Sequence, residues 1–293
     1  MKNILRIAAV FLVFLFLLPS AVSSTHSEKP VIRFGVNLQY NPISMYKRYQ
    51  PLMDYLTQNT PYRFELKISR DYLECLRYLK YNTTQISFLG DIAFVEARLR
   101  FGAIPILKPL GEDGRPAYRS AIVVSSSSSL HSLQDLKGKK VAFGNLHSTS
   151  GNLFPRYMLL NKRVYLQELG GFTNFSNHDE VAKAVLRGDY DAGAVNDTTA
   201  DKYSASGLRV LAYSDPIPTS PIVVRSDAPK ALTKAVTDAL LKLDRNNPTH
   251  EKLMASWDDS LKNGFTTASL SDYRLISRMF KTIPYSCGKG CHR

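Results

Sequence analysis

Apolar residues along this chain keep switching between two periods, and the switching predicts its architecture. Residues 31–36 form a short apolar run ending in a glycine-bearing loop, a strand signature. Within 46–58, Tyr49, Leu52, Met53 and Leu56 recur at helical spacing. Residues 64–68 alternate as a strand, and 71–81 read as a helix with Asp71 as its N-cap. Residues 86–90 form a strand ending at Gly90, and 93–101 form a helix. The middle of the chain repeats this logic. A short helix is expected over 133–137, a strand over 140–144, a helix over 151–162, a helix over 179–187 closed by Gly188, and a strand over 192–195. Strands and helices alternating at this pitch predict an α/β fold built from parallel βαβ units.

Two further apolar strands, 121–124 and 221–224, each follow a polar, proline-containing stretch. They are expected to be two hinge crossings. The chain would then form two parallel-sheet lobes joined by two hinge strands: a discontinuous first lobe from 30–120 plus 222–293, and a second lobe from 121–221. Loops at the C-terminal strand ends would face each other across a cleft, where open α/β sheets take ligands.

The N-terminus alters the picture of where the protein works. Lys2 and Arg6 precede an apolar stretch of roughly 12 residues, then Pro19 and small residues, which reads as a secretory signal peptide over 1–23. The stretch is well short of the roughly 20 residues that span a bilayer. No cysteine follows it to carry a lipid, so a free-floating protein between two membranes is expected. With 293 residues, 44% hydrophobic, there is ample core for two lobes. The formal charge is +13; removing residues 1–23 leaves 36 basic against 25 acidic side chains. In an exported protein that excess speaks against a nucleic-acid partner and for faster capture of small anions. Three cysteines occur. Cys287 and Cys291 are the natural disulfide candidates in an oxidising compartment, and Cys75 falls in a helical apolar pattern as a buried thiol.

Candidate chemistry concentrates at two helix starts. After the strand at 141–143, a polar loop leads into Ser148, Thr149, Ser150 and Gly151. Helix N-termini carry unsatisfied N–H groups that accept oxyanions, and neighbouring hydroxyls add neutral donors suited to a ligand that must be released. Simple N-capping would explain the same residues. The second start is Ser176, Asn177, His178, Asp179 and Glu180, a capping-box arrangement with His178 at the helix mouth. Tyr72 opens one helix and Tyr118 precedes the first expected hinge strand; a phenol can donate to an oxygen while its ring walls a pocket.

Together these segments resemble the phosphonate/phosphite/phosphate-binding family of periplasmic proteins that serve ABC importers. The resemblance runs over nearly the whole mature chain, from Phe34 and Gly35 through Tyr49, Asp71, Tyr72, Gly90, the 148–151 loop, His178 and 191–194 to 220–224. It implies a type II-like periplasmic binding protein fold and a periplasmic, non-enzymatic, cofactor-free monomer. Its partners would be a small oxyanion and a membrane permease. It also implies that Tyr72, Tyr118, Ser148, Thr149, Ser150 and His178 hold the phosphono group, with Asp91, Asn196, Asp197, Thr198 and Ser220 as supporting positions. Relatives that bind aminoalkylphosphonates place carboxylates where this chain has Thr198 and Ser220. Asp197 could substitute if the register slips by one. A serine donor is replaced by Ala93, and Asp91 brings a carboxylate near the cleft. A phosphonate-, phosphite- or phosphate-like ligand without an amine is expected.

Three alternatives stay open on sequence. A membrane signalling protein rather than a permease could be the client. Ser148 or Ser150 could pair with His178 as a hydrolase, although the G-x-S-x-G elbow is missing. The C-terminal C-x₃-C-H could hold a haem through Cys287, Cys291 and His292, one residue longer than the usual attachment pattern.

Overall fold

A computed structural model describes residues 28–37 and 41–283. The signal-peptide reading over 1–23 and the disulfide and haem readings of Cys287, Cys291 and His292 lie outside the described residues.

The chain opens with β1 (Val31–Asn37), α1 (Pro42–Asn59), β2 (Arg63–Ser69), α2 (Tyr72–Lys80), β3 (Ile86–Phe88), α3 (Asp91–Phe101) and β4 (Ile104–Pro109). It then runs through β5 (Ala117–Tyr118), β6 (Ser120–Ser125), β7 (Lys140–Phe143), α4 (Phe154–Asn161), β8 (Gly171–Asn174), α5 (His178–Leu186), β9 (Ala192–Asn196), α6 (Asp197–Ser204), β10 (Leu208–Tyr213) and β11 (Ile217–Pro218). It closes with β12 (Ile222–Val224), α7 (Lys230–Leu241), α8 (Pro248–Met254), β13 (Phe265–Thr267) and α9 (Arg274–Thr282).

These strands make two sheets. The first has the order β13-β4-β12-β3-β1-β2 and the second β10-β6-β9-β7-β8. In β1 the alternating Ile32, Phe34 and Val36 are buried, packing with Tyr49, Leu52, Met53 and Leu56 of α1 in one core. Gly35 lies where a Cβ would meet Ser87 Oγ at 2.5 Å, so glycine is needed for β1 and β3 to pair there. α2 starts where Asp71 Oδ1 accepts from the Glu74 N–H at 2.7 Å, as its N-cap position predicts. Cys75 is buried in the cluster that joins α2, α3 and α9. The expected helix at 133–137 is a single 3₁₀ turn, Leu133–Leu136.

The hinge assignment shifts. The strand expected as the first crossing, β6, lies wholly inside the second sheet between β10 and β9. The second, β12, lies inside the first sheet between β3 and β4. Both run antiparallel to their neighbours because the chain enters each sheet from the opposite lobe. The crossings are the segments just before them, which pair as the two-stranded ribbon β5–β11, with Ile217 opposite Tyr118. The apolar runs marked buried central strands; the crossings themselves are short and carry little apolar pattern.

An apolar cluster spans both lobes. Leu153 and Phe154, which follow the second sheet's β7, pack with Leu76, Leu79, Ile92 and Phe94 of the first lobe's helices.

Candidate functional site

The site forms where β7 runs out into the 144–153 loop. The Gly144 N–H donates to the Gly151 carbonyl at 2.7 Å, drawing the two glycines together. A Cβ on Gly151 would stand 3.0 Å from each of Gly144 Cα, His178 Cε1 and Ser148 Oγ. Bare glycine therefore lets Ser148 and His178, distant in sequence, converge on one point.

The helix expected over 151–162 begins differently. Residues Thr149–Leu153 form a π-helical turn before α4: Leu153 N–H donates to the Ser148 carbonyl at 3.1 Å, and Phe154 N–H to that of Thr149. The cause lies in the diverted carbonyls. Pro155 has no N–H to give Gly151, whose carbonyl serves Gly144 instead, and the Ser150 carbonyl accepts from Ser120 Oγ at 2.6 Å. Such widened turns recur at functional sites because they re-aim side chains. Here the turn is buried together with the Thr149 and Ser150 side chains. Ser148 caps it, its Oγ accepting from the Gly151 N–H at 3.0 Å.

Tyr118, on the ribbon between the lobes, has its phenol among the Thr149 and Ser150 hydroxyls. It donates to Asp91 Oδ2 at 2.8 Å. Burial, with the Asp91 charge next to it, pushes its pKa well up. Tyr72 opens α2; its ring stacks on His147 with centroids 5.5 Å apart, so a first-lobe residue meets a second-lobe loop. Burial raises this phenol too, opposed by a hydrogen bond with Asn37.

His178 is the first residue of α5. Asn177, not Ser176, caps that helix, its Oδ1 accepting from the Glu180 N–H at 2.9 Å. His178 Nδ1 accepts from the Asn196 N–H at 3.2 Å. Burial lowers the imidazole to about 4, so the ring is neutral and Nε2 carries its hydrogen as a donor. A ring with Nδ1 occupied and Nε2 protonated has no lone pair free to take a serine's proton. The hydrolase alternative therefore finds no base in it.

Among the supporting positions the largest correction concerns Asp91. Expected near the cleft, it is 1% exposed and central. Its Oδ2 accepts from Tyr118, the Ser220 and Thr149 hydroxyls favour its charge, and Oδ1 makes no hydrogen bond of good geometry. Burial outweighs those hydroxyls and raises its pKa to about 6. Asn196 holds His178 and caps α6, accepting from the Thr199 N–H. Asp197 does not face the donors: its Oδ2 accepts from the Arg119 N–H at 2.8 Å and its Oδ1 from the Thr198 N–H at 2.9 Å. Thr198 is exposed. Asn37, Ser120 and His147 escaped the sequence reading, because a lone polar residue ending a strand or lying in a loop gives no local signal of what it faces.

A polar cleft of about 400 Å³ opens beside this cluster, lined by Arg115, Tyr118, Arg119, Asp197 and Tyr213 among others. Of the six expected donor residues Tyr118 alone borders it, so the cleft adjoins the donor cluster without coinciding with it. The cluster itself offers hydroxyls and a neutral imidazole, an arrangement that can hold an oxyanion by hydrogen bonds without a fixed countercharge.

Residues 34–273 match the family model described as ABC transporter, phosphonate, periplasmic substrate-binding protein. The phosphonates-binding periplasmic protein of Escherichia coli (strain K12) is 25% identical over 244 residues, covering 79% of this chain and 72% of that protein. A phosphate-import protein of Mycolicibacterium smegmatis is 31% identical over 169 residues, 53% of this chain and 51% of its own. The solved structure of PhnD1 from Prochlorococcus marinus in complex with methylphosphonate superposes with a TM-score of 0.72 at 21% identity. It covers 87% of this chain and 98% of that one, a likeness of fold.

Proposed function

The chain belongs to the family of phosphonate-binding periplasmic substrate-binding proteins of ABC transporters, and from that membership we propose that it captures a small, amine-free phosphorus oxyanion between its lobes and delivers it to a membrane permease. The observation that carries this reading is that the Tyr118 phenol meets the Thr149 and Ser150 hydroxyls while Ser148 and the neutral His178 crowd the adjoining Gly151. Uncharged donors can surround an oxyanion and still release it, since each hydrogen bond is modest when its partners can return to water.

Capture works by closure about the β5–β11 ribbon. Ser148, Thr149, Ser150 and His178 come from the second lobe, Tyr72 and Asp91 from the first, and Tyr118 from the ribbon itself. The closed form gains only the contacts that the ligand makes with both lobes at once. The protein acts as a monomer exported through residues 1–23, its positive excess drawing anions to the cleft rather than nucleic acid.

An amine-free ligand follows from the side chains where related proteins would pair an ammonium. Thr198 is exposed and uncharged, Ser220 is uncharged, and Asp197 is turned to Arg119. Asp91 is tied to Tyr118, on the oxyanion side of the site. Calorimetric titration with phosphite, phosphate, methylphosphonate and 2-aminoethylphosphonate tests the reading. Tightest binding is expected for one of the first three; tightest binding of 2-aminoethylphosphonate would reject the amine-free ligand.

A further inference from the structure

Asp91 is an unusual residue to find among oxyanion donors. It is fully buried as the first residue of α3, and its Oδ1 has no hydrogen-bond partner of good geometry. Its Oδ2 accepts from the Tyr118 phenol, and the Thr149 and Ser220 hydroxyls stand against it. As a carboxylate it engages the very hydroxyls an incoming oxyanion needs, and it sets a second negative charge beside that ligand in a pocket shielded from water. Protonated, it releases those hydroxyls and presents an O–H donor.

Among the described residues around it, none neutralises it in another way. Tyr118 comes from β5, Thr149 from the π turn, Ser220 from the segment before β12, and Tyr273 from the start of α9. From α2 come Tyr72 and Cys75, in the same packed cluster. None of these is cationic. On its own helix Glu96 is paired with Arg100 at 2.6 Å, and Arg98 is exposed. On α9, Arg274 and Arg278 are exposed. The two histidines nearby lie one layer out: His147 stacked on Tyr72, and His178 against Gly151.

We propose that Asp91 and the bound oxyanion share one proton, taken from solvent on binding, so that this protein selects the protonated form of its ligand and releases it more readily as pH rises. The inference rests on the oxyanion reading of the site. The proton belongs to the pair: it bridges a ligand oxygen and Oδ1, and neither partner alone owns the apparent titration. The raised pKa of Asp91 in the unliganded protein is consistent with a carboxyl prepared to hold it.

Methylphosphonate is the probe, at pH 9, where the free ligand is a dianion. Calorimetry in buffers of differing ionisation enthalpy is expected to show uptake of about one proton per ligand. The dissociation constant is expected to rise about tenfold from pH 8 to pH 9. Asp91→Asn, which keeps the shape and offers an N–H donor, is expected to take up almost no proton and to bind with little pH dependence over that range. Wild-type uptake near zero overturns the inference whether or not the variant folds. Undiminished uptake by Asp91→Asn also overturns it, because the proton is then held without the Asp91 carboxyl. If neither protein binds methylphosphonate, phosphite or phosphate anywhere from pH 5 to 9, the oxyanion reading fails and this inference with it.

Discussion

Tyr118 donates its phenolic hydrogen to Asp91 Oδ2 across 2.8 Å, tying the interlobe ribbon to the first residue of α3. The bond joins a hinge element to a buried carboxylate and keeps both beside the Thr149 hydroxyl. Removing the phenol takes one donor from a buried acceptor, which costs about 1–3 kcal/mol. Tyr118→Phe should lower unfolding stability by that amount in urea titration and weaken oxyanion binding at the same time. Unchanged stability would mean that the bond is not maintained in solution.

Asp91 and His178 should give stability opposite pH slopes. Asp91 is raised from 3.8 to about 6, so between those values the folded state holds a proton that the unfolded chain has lost, and stability falls as pH rises. His178 is lowered from 6.5 to about 4; there the unfolded chain holds the extra proton, and stability rises with pH. Each effect is worth about 3 kcal/mol, so these two contributions should nearly cancel from pH 4 to 6. Asp91→Asn should unmask a rise over that window and His178→Gln a fall, read by urea unfolding at each pH. The same slope in both variants would contradict the two burial effects.

Gly151→Ala should disrupt the site more than the fold. The added methyl would stand 3.0 Å from Gly144 Cα, a backbone atom that cannot swing aside, and equally close to His178 Cε1 and Ser148 Oγ. Overpacking of this kind costs about 1–3 kcal/mol. Thermal unfolding should show that loss, and calorimetry should show binding weakened at least tenfold. Wild-type affinity would mean that the glycine contact does not set the donor geometry.

Thr149→Ala combined with His178→Ala should abolish oxyanion binding and leave far-UV circular dichroism unchanged, because neither side chain belongs to the apolar clusters of the second lobe. Undiminished affinity in the double variant would reject these residues as ligands.

Cys75 should resist alkylation in the native protein. It is 1% exposed and its thiol is pushed up to about 11 by burial, so little thiolate forms and none is accessible. Iodoacetamide at pH 8 followed by peptide mass analysis should leave Cys75 unmodified until urea is added.

Local patterns marked β1 to α3, β6, β7, α4, α5, β9 and β12, and these sufficed for the class of fold, while β4, β8, α6, β10 and the elements after β12 went unread. Period-two and period-3.6 patterns at residues such as Ile32, Phe34, Tyr49 and Leu52 are local, because each element must bury one face whatever its partners. Caps at Asp71 and Asn177 were equally local, a side chain accepting from an N–H three residues on. The loop at 148–151 and His178 were legible as helix starts rich in donors. Which of them meet was set by contacts between segments far apart in the chain. Gly144 and Gly151 touch because Pro155 frees one carbonyl and Ser120 claims another, and the Ser120 contact spans a sequence separation of 30. Asp91 moved from the margin to the centre for the same reason. Its partners Tyr118, Thr149 and Ser220 lie on three separate segments, and burial, which governs its proton, belongs to the packed lobes rather than to any stretch of chain.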